Sequence, residues 1–351
     1  MPDVATDELV DARRLAEWAA GRLPGDGPIS VERLVAGHSN LTFVVRRDDR
    51  EWILRRPPRG PLLPTAHDVL REYRVLDLLG QSGATVRVPD VVAACDDASV
   101  IGAPFYLMTK VDGTVIRATL PPTVDDDADP DHRARRRALA FDLVDALAEL
   151  HAVPVAPLVS AGIGRPDGYL ERQLKRWRGQ RDGARVRELP DYDAVSRWLG
   201  EHMPEPQPPA VVHGDYKLDN VIVVSGEMPR VAAIVDWEMA TVGDPLADVG
   251  YLLSLWFAPG EAAEFADVAG AVSQRPGFPS RAELTARYEQ VAGRSMTDIR
   301  FYTTLAVWKL AILLEASYAR HLAGTTDDPF FALLDDGVPT LLRRARETCG
   351  A

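Results

Sequence analysis

Between Ile29 and Val111, short apolar runs alternate with polar turns, the rhythm of antiparallel strands. Ile29 to Ala36 reads as a strand and Gly37-His-Ser-Asn40 as a turn. Leu41 to Arg47 and Glu51 to Arg56 read as strands joined by Asp48-Asp-Arg50. Val91 to Ala94 and Phe105 to Val111 extend the predicted sheet. Asp7 to Leu23 predicts a helix with Leu9, Leu15, Trp18 and Ala19 on one side. His67 to Leu79 predicts a second, with Val69, Leu70, Tyr73, Leu76 and Leu79 at helical spacing. Asp112-Gly113 reads as a turn and hinge.

Beyond that hinge the period becomes helical. Pro121 to Asp131 reads as a solvated loop. Arg133 to His151 follows as a helix with Leu139, Leu143, Leu147 and Leu150 as its buried stripe. Tyr169 to Arg178 and Asp191 to His202 also read as helices. Pro204 to Pro209 leads into three short apolar runs, Ala210 to Val212, Val221 to Val224 and Val231 to Val235. Further helices are predicted over Val249 to Trp256, Glu261 to Val272, Arg281 to Val291, Asp298 to Ala323 and Phe330 to Arg346, with no internal repeat. The predicted fold is α+β and two-lobed. Residues 1–111 form a small lobe built on an antiparallel sheet, and residues 112–351 form a larger, mainly helical lobe.

Polar residues between the three apolar runs carry the chemistry. His213-Gly-Asp-Tyr-Lys-Leu-Asp-Asn220 follows the first run and Asp236-Trp-Glu238 follows the third. Short strands deliver such residues at strand ends, where they can face a cleft. Phosphoryl transfer from ATP needs a carboxylate to take the hydroxyl proton, and hard oxygen ligands to hold magnesium on the phosphates. Asp215 is the candidate base, and Asn220 and Asp236 are the candidate magnesium ligands. Lys217 is placed to meet the transferring group as a point charge. His213 reads as a residue that shapes the loop by bonding backbone. Among the strand residues, alternation puts Ile53 and Arg55 on one face and Arg56 on the other.

Composition narrows the alternatives. The chain has 351 residues, 46% hydrophobic and 26% charged, enough for two cores. Its formal net charge is -12 and its one basic cluster is Arg133 to Arg137, so no nucleic-acid partner is expected. The same acidity favours cationic over anionic substrates. Cys95 and Cys349 form neither a disulfide framework nor a zinc spacing. Met1 to Asp11 has no apolar signal region. The apolar runs Val249 to Ala258 and Leu305 to Leu314 are too short for a membrane span, or carry a Lys. The expectation is a soluble cytoplasmic protein without a membrane partner. Gly37-His-Ser39-Asn-Leu41 lacks the second glycine of a nucleophile elbow, and no Walker A sequence is present.

The chain resembles the aminoglycoside phosphotransferase/choline kinase family, a branch of the protein-kinase-like fold. Within it, the resemblance is to phosphotransferases related to the kinase-like module of some acyl-CoA dehydrogenase fusions. Gly37-His-Ser-Asn40, Trp52-Ile-Leu-Arg-Arg-Pro-Pro58, Arg71-Glu-Tyr73 and Tyr106-Leu-Met-Thr-Lys-Val-Asp-Gly113 carry it, with His213 to Asn220, Asp236 to Glu238 and Gly243-Asp-Pro-Leu-Ala-Asp248. The resemblance implies ATP as co-substrate, with GTP left open, magnesium as cofactor and a small-molecule hydroxyl as acceptor. It implies a nucleotide loop at Gly37, His38, Ser39 and Asn40, and a partner for the phosphate-binding cation at Glu72. Met108 would gate an adenine pocket, with the backbone of Thr109 and Val111 bonding the base. Arg55 stands where the family usually has Lys, and a forked guanidinium is not equivalent to an ammonium. Glu238 would approach the metal or hold the loop, and Asp248 would hold the loop through backbone amides. Tyr169, Arg172, Gln173, Trp177 and Trp308 are expected to line the acceptor pocket. A hydroxyacyl acceptor is favoured over an aminoglycoside or amino alcohol. A pseudokinase, motivated by Arg55, and a nucleotidyl transferase are the remaining readings.

Overall fold

The computed structural model describes residues 6–34, 40–59, 68–183, 185–261, 271–324 and 329–351. Gly37, His38 and Ser39 of the expected nucleotide loop lie outside the described residues. So do His67 and most of the expected helix from Glu261 to Val272. The chain divides into two units, Met1–Asp112 with Ala233–Ala240, and Gly113–Ala232 with Thr241–Ala351. The exchange of Ala233–Ala240 is absent from the expected contiguous split at residue 111.

The first unit contains β1 (Ile29–Leu34), β2 (Leu41–Arg47), β3 (Arg50–Arg56), β4 (Val91–Cys95) and β5 (Phe105–Thr109) in the order β1-β2-β3-β5-β4. The pairings are antiparallel, with Arg55 opposite Thr42 on one side and Tyr106 on the other. Alternation sends Phe43, Val45, Trp52, Leu54, Phe105 and Leu107 into one core with Leu9, Leu15 and Ala19. Burying a side chain of this kind stabilises by about 1.5–3 kcal/mol. The expected helix from Asp7 to Leu23 is two helices, α1 (Thr6–Leu9) and α2 (Ala12–Ala19). Asp11 caps the second by accepting from the Arg14 amide. Arg56 points into this side and donates to the carbonyls of Leu9 and Ile101. The helix α3 (Val69–Gly80) packs on β4 and β5 and buries Glu72, Val75, Leu76 and Leu79.

The second unit is mostly helical: α4 (Pro130–His151), α5 (Ala156–Ser160), α6 (Tyr169–Gly183), α7 (Pro190–Glu201) and α8 (Leu246–Ser254), then α9 (Arg281–Ala292), α10 (Ile299–Leu322) and α11 (Leu334–Cys349). The helix α4 starts earlier than its apolar stripe predicts, because Asp129 caps it and Pro130 suits the first turn. Val124, in the stretch expected to be solvated, is buried in a short 3-10 turn. Two small sheets complete the unit. Thr114–Val115 (β6) pairs with Val221–Val224 (β8) in the order β6-β8-β9, where β9 is Arg230–Ile234. Ala210–Val212 (β7) pairs with Thr241–Gly243 (β10). Neither β6 nor β10 is visible as a hydrophobic run. No described helix is long and apolar enough to cross a membrane.

Candidate active site

In the second unit, the fully buried β7 delivers His213 and Asp215 to a loop that is held from below. Asp248, on α8, accepts from the backbone amides of His213 (2.6 Å) and Gly214 (2.7 Å). Its other contact is His151 Nε2 at 3.3 Å, while His151 Nδ1 lies 2.7 Å from the Tyr288 hydroxyl. Burial alone would raise the Asp248 carboxyl, but the His151 hydrogen bond, His213 and the Gly214 amide hold it below the ordinary range. An ionised Asp248 only accepts, so His151 donates from Nε2 and receives the Tyr288 proton at Nδ1. Burial keeps that imidazole below its usual pKa against the pull of Asp248. The Tyr216 hydroxyl anchors the loop further, donating to the Leu143 carbonyl at 2.7 Å.

On this loop the side chain of Asn220 donates to Asp215 twice, to Oδ2 at 2.8 Å and to the carbonyl at 2.9 Å. Its amide nitrogen is therefore engaged, and its oxygen is the ligand atom it can offer. His213 Nδ1 accepts from the Asp215 amide at 3.3 Å, so this buried imidazole shapes the loop. Lys217 lies 3.5 Å from Asp215 and 3.4 Å from Asp219. Burial would lower the Lys217 ammonium, yet the two carboxylates outweigh it and hold it above the ordinary value. Asp219 is pushed up by burial against the pull of Lys217. Asp219 was missed at the sequence level, although its position in the run between Lys217 and Asn220 is a usable signal.

In the first unit, Arg55 reaches Glu72 (3.2 Å) and Asp236 (3.1 Å) with the same Nη2. Burial works against the guanidinium's charge, but Glu72, Tyr106 and Asp236 raise its pKa well above the ordinary range. Glu72 is fully buried and pushed up by that burial, with Arg55 opposing. It also accepts from the Trp237 amide at 3.2 Å, and the neighbouring Arg71 donates to the Glu238 carbonyl at 3.3 Å. So α3 grips the segment that carries Asp236. Asp236 itself has φ 70°, ψ 65°, a left-handed conformation uncommon outside glycine and a frequent mark of functional strain. Ile53 pairs with Met108 on the Arg55 face, and both are buried. The Thr109 amide donates to the Asp90 carbonyl at 2.8 Å. Val111 follows β5 and is half-buried. Asn40 is 4% exposed, and among the described residues neither polar atom of its carboxamide has a hydrogen-bond partner.

Each unit offers one hard oxygen of the kind magnesium takes, the Asn220 amide oxygen in the second and the Asp236 carboxylate in the first, and magnesium needs few protein ligands when phosphates and water complete its shell. Among the described residues, no cluster of three or more His, Cys, Asp or Glu side chains forms a separate metal cage.

The expected acceptor residues divide. Tyr169, Arg172 and Gln173 line a cavity of about 720 Å³ with Arg165, Lys175 and Arg176. Tyr169 is seated by Gly243, where a Cβ would strike its ring. Trp177 lines a small enclosed cavity with Gln173, Gly214, Tyr251 and Lys309, and donates from Nε1 to Gln173 at 2.9 Å. Trp308 is fully buried, stacks on Tyr192 with ring centroids 5.6 Å apart, and is not among the residues that line these two cavities. The residue after it, Lys309, is the cavity residue that sequence reasoning missed. The available signal was a lone cation in the stripe of Tyr302, Leu305 and Ile312.

The sequence profile of the phosphotransferase enzyme family matches residues 30–284. The chain is 34% identical over 337 residues to acyl-CoA dehydrogenase family member 11 of Gallus gallus. That match covers 92% of this chain and 41% of the relative, so the chain spans about two fifths of that protein. A crystal structure of a provisionally assigned aminoglycoside phosphotransferase from Ralstonia eutropha superposes with a TM-score of 0.79 at 30% identity, covering 96% of this chain and 98% of that one. Choline kinase from Cryptosporidium parvum shares the fold, with a TM-score of 0.62 at 12% identity and 95% of each chain covered. The chain belongs to the phosphotransferase enzyme family and is a small-molecule phosphotransferase with a kinase-like fold.

Proposed function

We propose that this phosphotransferase moves the γ-phosphoryl group of ATP to the hydroxyl of a hydroxyacyl-type small molecule. The observation that carries this reading is the pair Asp215 and Asn220. The carboxylate is held at 2.8 Å by an amide whose oxygen remains for a cation, on a loop clamped by Asp248. Asp215 takes the acceptor hydroxyl proton as the new P–O bond forms and the bond between the β and γ phosphates breaks, releasing ADP. Bound at Asn220 and Asp236, magnesium would supply charge neutralisation on the phosphates. Arg55 and Lys217 add fixed positive charge for the same phosphates. The guanidinium keeps its charge even when buried and can meet a phosphate with two donors, so Arg55 is a workable replacement for Lys. Ile53 and Met108 supply apolar contact to a base. The Thr109 amide is committed to Asp90, so the Thr109 carbonyl is the atom that meets the base, with Val111 beside it. Glu238 helps hold the segment that presents Asp236.

Support for the hydroxyacyl acceptor comes from the acyl-CoA dehydrogenase relatives and from the arginines around the larger cavity. The test is product identity. Incubation with MgATP and a panel of hydroxyacyl compounds, amino alcohols and aminoglycosides should give a phosphorylated hydroxyacyl compound by mass spectrometry, together with ADP. Nucleotidylated product, or ADP release without any phosphorylated acceptor, would refute the reading.

A further inference from the structure

The turn that follows the candidate base sets two charged side chains next to each other. Lys217 and Asp219 flank Leu218, and the Asn220 amide closes the turn by donating to the Lys217 carbonyl at 3.0 Å. Leu218 and Asn220 are buried, so the turn is firmly seated. Lys217 Nζ then lies between two carboxylates, 3.5 Å from Asp215 Oδ2 and 3.4 Å from Asp219 Oδ2. Neither is a closed ion pair, for which an N–O distance of about 2.7–2.9 Å is usual. The Asp215 oxygen involved is the one that already accepts from Asn220 at 2.8 Å. Asp219 is 23% exposed at its side chain, and Lys217 is the cation that its carboxylate meets among the described residues. Lys217 and Asp219 also line a cleft of about 20 Å³ whose walls include Ile116, Leu252, Leu255 and Trp256. Such apolar walls leave little room for water to screen the charges.

We propose that Asp219 is a positioning residue for Lys217, one that draws the ammonium back from Asp215 and so keeps it available to the transferring phosphoryl group. The inference rests on the phosphotransferase reading and deepens it by giving the position of Lys217 a cause. Attraction falls with distance, and the two distances are nearly equal, so the two carboxylates pull on the ammonium with similar strength. Without the Asp219 charge, Asp215 is the carboxylate of the pair that remains, and the flexible stem of Lys217 lets the ammonium close on it. The closed pair would put a second charge-assisted donor on the oxygen that Asn220 already holds. It would also have to break before the ammonium could meet the phosphate, whereas a charge already in place costs no reorganisation during reaction. Stability is a weak reason for the arrangement, since partly exposed ion pairs of open geometry contribute little to it.

The experiment is a double-mutant cycle on MgATP turnover, with ω-hydroxyhexanoate as acceptor and, as a probe that needs no added acceptor, with water in the intrinsic hydrolysis of ATP. Asp219→Asn should lower kcat about 10-fold and leave the KM for MgATP within about 2-fold. Asp219→Glu, which keeps the charge, should recover most of that loss. Lys217→Met alone should lower kcat about 10-fold or more, and adding Asp219→Asn to it should change kcat by less than about 2-fold, because Asp219 acts through Lys217. Losses that add in the double variant, a loss carried by KM, or an unchanged kcat in Asp219→Asn overturns the proposal. Asp219→Ser takes the same readouts should Asp219→Asn not fold. A crystal structure of the charge-free variant decides independently of turnover. Its Lys217 ammonium should stand within about 3 Å of Asp215, and an ammonium left in its wild-type position overturns the proposal. A closed Lys217–Asp215 pair in that structure, with neither probe turned over by the wild type, would uphold the positioning while the phosphotransferase reading fails.

Discussion

Asp248→Asn isolates the clamp beneath the catalytic loop. The substitution keeps shape and removes charge. Asp248 accepts two backbone N–H groups, from His213 at 2.6 Å and Gly214 at 2.7 Å, at a position that is fully buried. An Asn can accept only one of them, because its amide nitrogen opposes the other donor. One buried N–H then loses its partner, at about 1–3 kcal/mol, and the surviving hydrogen bond loses its charge assistance. His151 must also change tautomer if Nε2 faces the Asn nitrogen, which reverses its hydrogen bond with Tyr288, the hydroxyl then accepting from Nδ1. The total is about 3–5 kcal/mol, or roughly 6–20 °C in Tm at the ~2–4 °C per kcal/mol expected for a unit of this size. Thermal melting followed by circular dichroism measures it. A carboxyl held below its unfolded value of 3.8 stabilises the fold above that pH, and the stabilisation is lost as pH falls through the lower, folded-state value. The gap between wild type and variant should therefore be full at neutral pH and narrow on acidification below about pH 4. Activity should fall about 100-fold through displacement of Asp215. A variant that melts within about 2 °C of the wild type at neutral pH would refute the clamp.

Two further substitutions test the first unit. Arg55→Ala should weaken MgATP binding about 10-fold or more, since it removes a cation that contacts both Glu72 and Asp236; unchanged affinity by calorimetry would assign the phosphate contact to another residue. Asp236→Ala should abolish the magnesium dependence of nucleotide binding, read as the ratio of affinities with and without the metal. A preserved ratio would remove Asp236 from the ligand set.

The loop from His213 to Asn220 was legible because its polar residues fall between apolar runs short enough to be only strands. Ala210–Val212 and Val221–Val224 bracket Asp215 and Asn220, so local spacing alone placed them together. Arg55 was legible for the same reason, since strand alternation separates it from Arg56 without reference to a partner. What sequence periodicity cannot carry is which distant element covers a given face. Trp308 and Lys309 are adjacent on α10, yet one is sealed against Tyr192 and the other stands over Gly214. A hydrophobic stripe does not say which neighbour it meets. The return of Ala233–Ala240 to the first unit depends on Glu72 and Arg71, more than 150 residues earlier in the chain. The break between α1 and α2 was missed for a local reason, because the Asp11 cap outweighs a continuous apolar stripe.

The account depends above all on Asp215 acting as the base in phosphoryl transfer, and single-turnover kinetics of Asp215→Ala measure that most directly. The variant should bind MgATP with nearly wild-type affinity while the rate of acceptor phosphorylation drops by about 10²–10⁴. Phosphorylation at the wild-type rate in that variant would contradict the account.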